Sequence, residues 1–406
     1  MSQNLKDHKD IGQEQELFFT NEIAPGAPFW LPKGMVIFKE LEKFIRDLTV
    51  NAGYLETSTP IMAKSDLFKQ SGHWTKFGEH NMYNLQIKDE EESIPKSYTL
   101  KPMNCPESTI LYRFRNRSYR ELPLRFSEIG RLHRREKSGE VNGLLRVRQL
   151  TMDDAHIYAR DDQMEDEIGN ILDNIVTFYK SFGFEYEFKL ATRPEERAGN
   201  DKDWDKAELT LENVLKHKKQ KYSPKDRDGA FYGPKIDLHI KDAQRREWQL
   251  ATVQLDFYMP SAFGLKYVDE KGEQKTPVMI HRAIFGSFER FIAILTEHYQ
   301  GSFPLWLSPA QAQILPISDK TLEYAKSVAV KLKKKLIRTE IDTRSETLQS
   351  KIRNATIARI PYLLIVGQKE QETNQVAVRT RGGKDLGLFT TSAIAQKISK
   401  EIENKG

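Results

Sequence analysis

Apolar residues recur at helical spacing across residues 35–48, where Phe38, Leu41, Ile45 and Leu48 fall on one stripe. Pro32 opens this segment and Gly53 lies just beyond it, the order that helix termini favour. The run GYLETSTPIM that follows reads as extended up to Pro60. A second amphipathic helix is predicted over 161–184, with Ile168, Ile171, Ile175 and Tyr179 on its stripe. Residues 201–228, rich in Lys and Asp, read as a helical insertion and a loop. Alternation typical of a strand occupies 248–258, and helical spacing returns over 283–298. This pattern predicts a large antiparallel sheet flanked by helices, an α+β domain over 1–304.

Near residue 305 the pattern changes. FPLWLSPAQAQ (303–313) carries two prolines and reads as a linker. Beyond it, strands are predicted at 313–316, 337–341, 362–366 and 375–380. Helices at 320–336 and 347–359 separate them, and another at 391–404 closes the chain. That alternation predicts a small α/β domain with a mixed sheet over 305–406. The run KLKKKLIR, from Lys331, reads as a solvated helix face rather than an RNA-binding patch.

Residues 134–156, RREKSGEVNGLLRVRQLTMDDAH, depart from core-strand chemistry. They read as two extended segments joined by a polar turn with Ser138-Gly139 and Asn142-Gly143. Alternation places Arg146, Arg148, Leu150, Met152, Asp154 and His156 on one face of the second segment. Arginines meet phosphates and an apolar member can lie on a base, so this face suits a nucleotide pocket. A polar strand facing solvent is the plainer alternative. An extended run of this length also needs a bend or bulge if all six groups are to share one pocket.

Composition sets outer bounds. The 406 residues suit two or three domains, and 38% hydrophobic with 30% charged residues describe an ordinary globular protein. No apolar run is long enough to cross a bilayer, and MSQNLKDHKD lacks the apolar core of a signal peptide. A single cysteine excludes an internal disulfide and fits a reducing, cytoplasmic setting. A net charge of +5 permits a nucleic-acid partner without requiring one. Cys105 has no C-x-x-C spacing around it, so zinc would need distant partners, for which His156 and His281 are candidates.

Eight blocks, in order, carry a family resemblance: SGHW (71–74), KPMNCP (101–106), HRRE (133–136), GLLRVRQLTMDDAHIY (143–158), AFYGPKID (230–237), WQLATVQLDF (248–257), PVMIHRAIFGSFERF (277–291) and VAVRTRGGKDLG (376–387). The chain resembles threonyl-tRNA synthetases, class II enzymes with an antiparallel catalytic sheet and an α/β anticodon-binding domain. The resemblance covers nearly the whole chain and implies ATP-dependent activation of L-threonine to its adenylate. Transfer to tRNA(Thr) would follow, with AMP and diphosphate released.

The resemblance also implies roles for individual residues. GYLETSTPIM is similar to motif 1, which implies a homodimer. Arg134 and Glu136 match motif 2, bridging the amino-acid carboxylate to the α-phosphate and reading the adenine amino group. Arg146 and Arg290 match positions that hold the γ-phosphate and flank the bent ATP, with Mg²⁺ accompanying the nucleotide. Lys235 would be a mobile charge near the phosphates, and Leu150, Gln249 and Thr252 further nucleotide contacts. Cys105, His156 and His281 match zinc ligands. Threonine would fill the open coordination sphere, assisted by Asp154 and bordered by Met103, Tyr232, Gln254 and Ser287. His73 matches a histidine associated with transfer to the terminal ribose, and Arg359, Glu370 and Arg379 match anticodon contacts.

The chain departs from the family pattern in places. Leu150 stands where phenylalanine is usual, Met152 where glutamine is usual, and Leu250 at a small or cysteine position. Glu107-Ser108 replaces the usual Gly-His. Long forms carry an N-terminal module and an editing domain before the catalytic core. Here the core begins almost at Met1, so the expectation is a natural short form without an editing domain. A synthetase for proline or serine is a competing reading, against which Cys105, Asp154, His156 and His281 argue together. A catalytically silent, RNA-binding paralogue is another, and retention of Arg134, Arg146 and Arg290 argues against it.

Overall fold

The computed structural model describes residues 5–88, 95–242 and 244–405, so the first four residues of MSQNLKDHKD lie outside it. The chain forms two compact units. One comprises Thr20–Pro28 and Glu42–Phe291, the other Met1–Phe19, Phe29–Leu41 and Ile292–Gly406.

The larger unit is built on an eight-stranded sheet. Its order is Tyr222–Lys225, Tyr186–Ala191, Lys235–Lys241, Glu247–Asp256, Val278–Ser287, Gln149–Ala159, Leu124–His133 and Leu55–Glu56. The two outermost pairings are parallel and the five between them antiparallel. The predicted amphipathic helix is Met164–Lys180, and Ile168, Ile171, Ile175 and Tyr179 are all buried. Phe178 stacks on Phe285 with ring centroids 5.3 Å apart, and the Tyr179 hydroxyl donates to the Ile284 carbonyl at 3.0 Å. Each such apolar side chain contributes about 1.5–3 kcal/mol when fully buried, so this one stripe anchors the helix to the sheet.

Several local expectations give way. Residues 283–287 finish the strand Val278–Ser287, and the helix begins only at Phe288. Ala283, Ile284 and Phe285 are buried, and continuous burial erases the distinction between helical and extended periodicity. Residues 134–148 form no tight hairpin. Pairing of Leu124–His133 with Gln149–Ala159 ends at His133 opposite Gln149, which leaves Arg146 and Arg148 in the connecting loop. There the Arg148 amide donates to the Gly26 carbonyl at 2.7 Å, outside any strand ladder. The motif 1 segment is not one strand: Leu55–Glu56 and Met62–Lys64 belong to different sheets. Pro60, between them, has no N–H to continue a ladder. The helix Pro32–Asn51 starts where expected, and Gly53 follows it with φ +76°. The region 201–228 holds the helix Asp201–His217 and an edge strand, Tyr222–Lys225, in place of a loop.

The smaller unit holds a mixed five-stranded sheet in the order Thr339–Ile341, Ala312–Pro316, Tyr362–Val366, Gln375–Thr380 and Asp385–Thr390. The first three strands are mutually parallel, and the last two join antiparallel. FPLWLSPAQAQ is packed rather than a free linker, because Phe303, Leu305, Trp306 and Leu307 are all buried. The edge strand Asp385–Thr390 and the short helix Gln368–Glu372 were not signalled by periodicity. Gly387, at φ +84°, interrupts the alternation of that strand, whose residues are mostly exposed. Along KLKKKLIR the helix ends at Lys333, short of the predicted 336; Lys331 and Lys333 to Lys335 are exposed while Leu332 and Ile337 are buried.

Candidate functional site

Strand register assembles the site. Lys235, Gln254, His281, His156 and Phe126 are successive partners across five neighbouring strands. Two residues along, Asp237, Thr252, Ala283, Asp154 and Glu128 form a second row. Paired residues share a face, so both rows project to the same side of the sheet. A slip in pairing between Leu238 and His239 sets Gln249 opposite His239, which returns it to the face of Thr252 and Gln254.

Cys105, the first residue of the helix Cys105–Arg113, reaches this face from outside the sheet. Among the described residues, Cys105, His156 and His281 form the one group of side chains placed to hold a metal. Their ligand atoms all lie within 4.8 Å of one another, and all three residues are buried. The two imidazoles meet edge to face at 5.1 Å, and His281 Nε2 lies 2.9 Å from Asp256 Oδ2. A carboxylate behind a ligating histidine fixes its orientation and tautomer. Burial, with Asp154, Glu107 and Asp256 nearby, drives the Cys105 thiol well above its ordinary range. Burial beside His281 and Arg282 drives His156 well below its own, leaving a neutral imidazole with a lone pair to donate. One sulfur and two nitrogens, buried and convergent, are the donor set that zinc takes with a fourth position open. A divalent cation would also offset the buried carboxylates, so these residues fit the metal.

Around this cluster, the Asn104 side-chain amide donates to Asp154 Oδ2 at 3.0 Å. Tyr232 stacks on His281 at 4.9 Å and donates its hydroxyl to Gln254 Oε1. Gln254 in turn donates to Thr252 at 3.2 Å, and Met103 is half-buried beside Cys105 in the same apolar cluster. His73 sits within hydrogen-bond reach of Ser71 Oγ at 2.8 Å, with its other nitrogen 3.9 Å from Cys105 Sγ. Burial, reinforced by His281 and Arg134, pushes His73 down to about 3.

The arginines flank this pocket. Arg134 is held by the Pro102 carbonyl at 3.1 Å and lies over the Phe77 ring at 5.9 Å. Arg290 donates to the Leu145 carbonyl at 2.9 Å, and its amide to Ser287 Oγ at 3.3 Å. Burial lowers both guanidinium groups from their ordinary range, opposed at Arg134 by Glu136 and Asp154 and reinforced at Arg290 by Arg134 and Arg146. Arg146 differs, since Glu136 receives it at 2.7 and 3.0 Å and Glu140 at 2.9 Å. Leu150 is buried with Leu132 and Val147, and Met152 packs against them. Lys235, expected to be a mobile charge, is instead buried and tied to Asp228 at 3.0 Å and to Asp237. A buried ammonium requires such carboxylates, and sequence spacing does not reveal them.

In the smaller unit, Arg359 is exposed, with φ +59°, just before the strand Tyr362–Val366. Arg379 pairs with Leu363 in the same sheet and meets Asp385 at 3.6 Å. Glu370 follows the opposite end of that strand, and its carboxylate accepts the Gly367 amide at 2.9 Å. All five residues of that strand lie between Arg359 and Glu370, and three of them, Leu364 to Val366, lie beyond the Leu363 level at which Arg379 pairs. Sequence reading missed Asp256, Asn104 and Phe77. Only Asp256 left a signal, as the next alternate residue after Thr252 and Gln254.

Residues 83–299 match the tRNA synthetase class II core domain (G, H, P, S and T), and residues 311–401 an anticodon binding domain. A threonine--tRNA ligase of Desulforamulus reducens is 47% identical over 98% of this chain. The chain spans 62% of the length of that relative. A crystal structure of the RNA binding domain of threonyl-tRNA synthetase from Cryptosporidium parvum superposes with a TM-score of 0.92. It is 38% identical and covers 98% of each chain. A Giardia lamblia prolyl-tRNA synthetase bound to prolyl-adenylate shares the fold, with a TM-score of 0.77 over 99% of this chain and 81% of that one, at 17% identity.

Proposed function

The chain belongs to the class II aminoacyl-tRNA synthetases, in the threonyl-tRNA synthetase family, and on that premise we propose that it activates L-threonine with ATP and transfers it to tRNA(Thr). The observation that carries the reading is the convergence of Cys105, His156 and His281 beside Asp154. Zinc held by those three residues would supply Lewis acidity and an open position for the amino and hydroxyl groups of threonine. Asp154, kept in place by Asn104, would accept a hydrogen bond from threonine. A site built to satisfy a hydroxyl rejects an isostere lacking it by about 10⁴–10⁵, which is the discrimination required against valine.

Adenylate formation joins the threonine carboxylate oxygen to the α-phosphorus and expels diphosphate. Arg134 would hold both carboxylate and α-phosphate. Arg290 and Arg146 would take the outer phosphates with their Mg²⁺, Arg146 leaving Glu136 free for the adenine amino group. Lys235, Gln249, Thr252 and Leu150 would complete the nucleotide wall, and Tyr232, Gln254, Met103 and Ser287 the threonine wall. In the second step a terminal ribose hydroxyl attacks the acyl carbon and AMP leaves. His73 would receive the proton once bound substrate and the phosphate charge offset the burial, His281 and Arg134 that hold its imidazole neutral.

Residues 1–304 would carry this chemistry and residues 305–406 would read the anticodon through Arg359, Glu370 and Arg379. A homodimer through the motif 1 segment is supported by exposed Leu55, Ile61 and Met62, which leave apolar surface to cover. No helix among the described residues is long and apolar enough to cross a membrane, and a cytoplasmic setting is proposed with the translation role. ATP–diphosphate exchange with a panel of amino acids tests the reading: threonine should support it, serine weakly, valine and proline negligibly. Exchange driven equally by proline, or by none of the panel, would overturn it.

A further inference from the structure

The face of Gln149–Ala159 turned away from the site carries a second device. Opposite Asp153 the neighbouring strand holds three residues instead of one, because Ala283 pairs with Asp154 and Ser287 with Met152. The amides of Ile284, Phe285 and Gly286 all turn onto the Asp153 carboxyl group, at 2.7, 3.3 and 2.9 Å. Gly286 takes φ +78° within this bulge, a conformation that glycine adopts without steric cost. A reciprocal tie runs the other way, for the Thr151 amide donates to Glu289 Oε2 at 2.9 Å. Asp153 is 1% exposed and Glu289 3%, so neither group meets ligand or solvent.

We infer that Asp153 and Glu289 are positioning residues for the adenylation step, which set the three-residue bulge and so place Arg290 at the nucleotide side. Ladder hydrogen bonds are lost across the bulge, and without a substitute the end of the strand would be free to shift. Asp153 supplies three acceptor contacts at that gap, and Glu289 pins the facing strand immediately before Arg290. Asp153 is also flanked in sequence by Met152 and Asp154, which face the site. One strand therefore holds the threonine side with its front face and fixes the phosphate side with its back.

This inference rests on the proposed role of Arg290, so Arg290→Ala is measured alongside. Asp153→Asn keeps the size but replaces one acceptor oxygen with a donor facing amide donors. The expected result is a fall of roughly 10² in ATP–diphosphate exchange, the scale of a 1 Å misplacement of a reacting group. The loss should lie in kcat or in KM for ATP, with KM for threonine within about threefold and zinc content unchanged. Glu289→Gln, which retains an acceptor for Thr151, should keep near-normal exchange, whereas Glu289→Ala should lose it in the same ATP-sided way. If Asp153→Asn does not fold, the Glu289 pair decides. Normal exchange in both Asp153→Asn and Glu289→Ala, beside an inactive Arg290→Ala, would overturn the positioning role alone. So would an equal rise in both KM values with lost zinc. An active Arg290→Ala would overturn the underlying reading instead.

Discussion

His156 and His281 are direct partners across adjacent antiparallel strands, and their rings meet edge to face at 5.1 Å. Their separation in sequence is large, yet the ladder leaves them no freedom to part. Cys105 has to be brought to this pair by a helix start, and Asp256 orients one of the two rings. The candidate metal site is therefore a product of strand register.

Metal content follows from that arrangement. Cys105→Ser or His156→Ala should lose zinc on dialysis and lose threonine-dependent exchange. Asp256→Asn should retain the metal with an affinity weaker by about 10–100-fold. Metal analysis of dialysed protein checks both. Full zinc retention by Cys105→Ser would remove that residue from the ligand set.

Arg134→Ala should lower adenylate formation by about 10²–10³, the cost of one preorganised charge contact. Its guanidinium is held by a carbonyl and an aromatic face, with no ion pair to lose, so the melting temperature should hardly move. Diphosphate exchange and thermal denaturation on the same preparation separate these effects.

Stability should fall as pH rises through neutrality. Burial, opposed by the Thr151 amide, pushes Glu289 up from its ordinary 4.5 to about 7. The native state then holds a proton that the unfolded chain releases, so the stabilisation is complete below about 4.5 and lost as pH rises through about 7. The size is about 3 kcal/mol by the shift alone. Glu289→Gln fixes the neutral form. It should match the natural chain near pH 4.5 and exceed it at pH 8 in thermal or urea denaturation. A constant difference across that range would refute the assignment.

Glu370 joins a structural contact to a proposed role in reading the anticodon, and the two can be separated. Its carboxylate accepts the Gly367 amide at the start of a short helix, so Glu370→Ala would remove a cap along with the charge. Glu370→Gln keeps an acceptor for Gly367. It should weaken tRNA charging, as should Arg379→Ala, while threonine activation stays unchanged. Parallel loss in charging and exchange would indicate a folding defect in place of tRNA recognition.

Much of the local structure was legible from residue pattern. The stripe Ile168, Ile171, Ile175 and Tyr179 specified a helix and its buried face, and alternation put Leu150, Met152, Asp154 and His156 together. The pattern failed where burial is continuous, as over Ala283 to Phe285, and where side chains act as caps or clamps. It also misread Phe303 to Leu307 as a linker, because prolines mark a break in regular structure without saying whether the segment is buried.

By itself the sequence determined which chemical groups this protein can present and on which side of its own strand or helix each one stands. Residue type and the short-range periods of backbone geometry are local properties, and they survive without a fold. Only the tertiary structure decided that His281 faces His156, that Lys235 is tied to Asp228 and Asp237, and that three amides close on Asp153. Those relationships depend on which strands pair, in what register, and on the low-dielectric surroundings that pairing creates. Contacts between residues far apart in the chain leave no trace in local spacing, so the three candidate ligands could be named from resemblance, but neither their convergence nor the charge balance around them followed from spacing before the sheet was assembled.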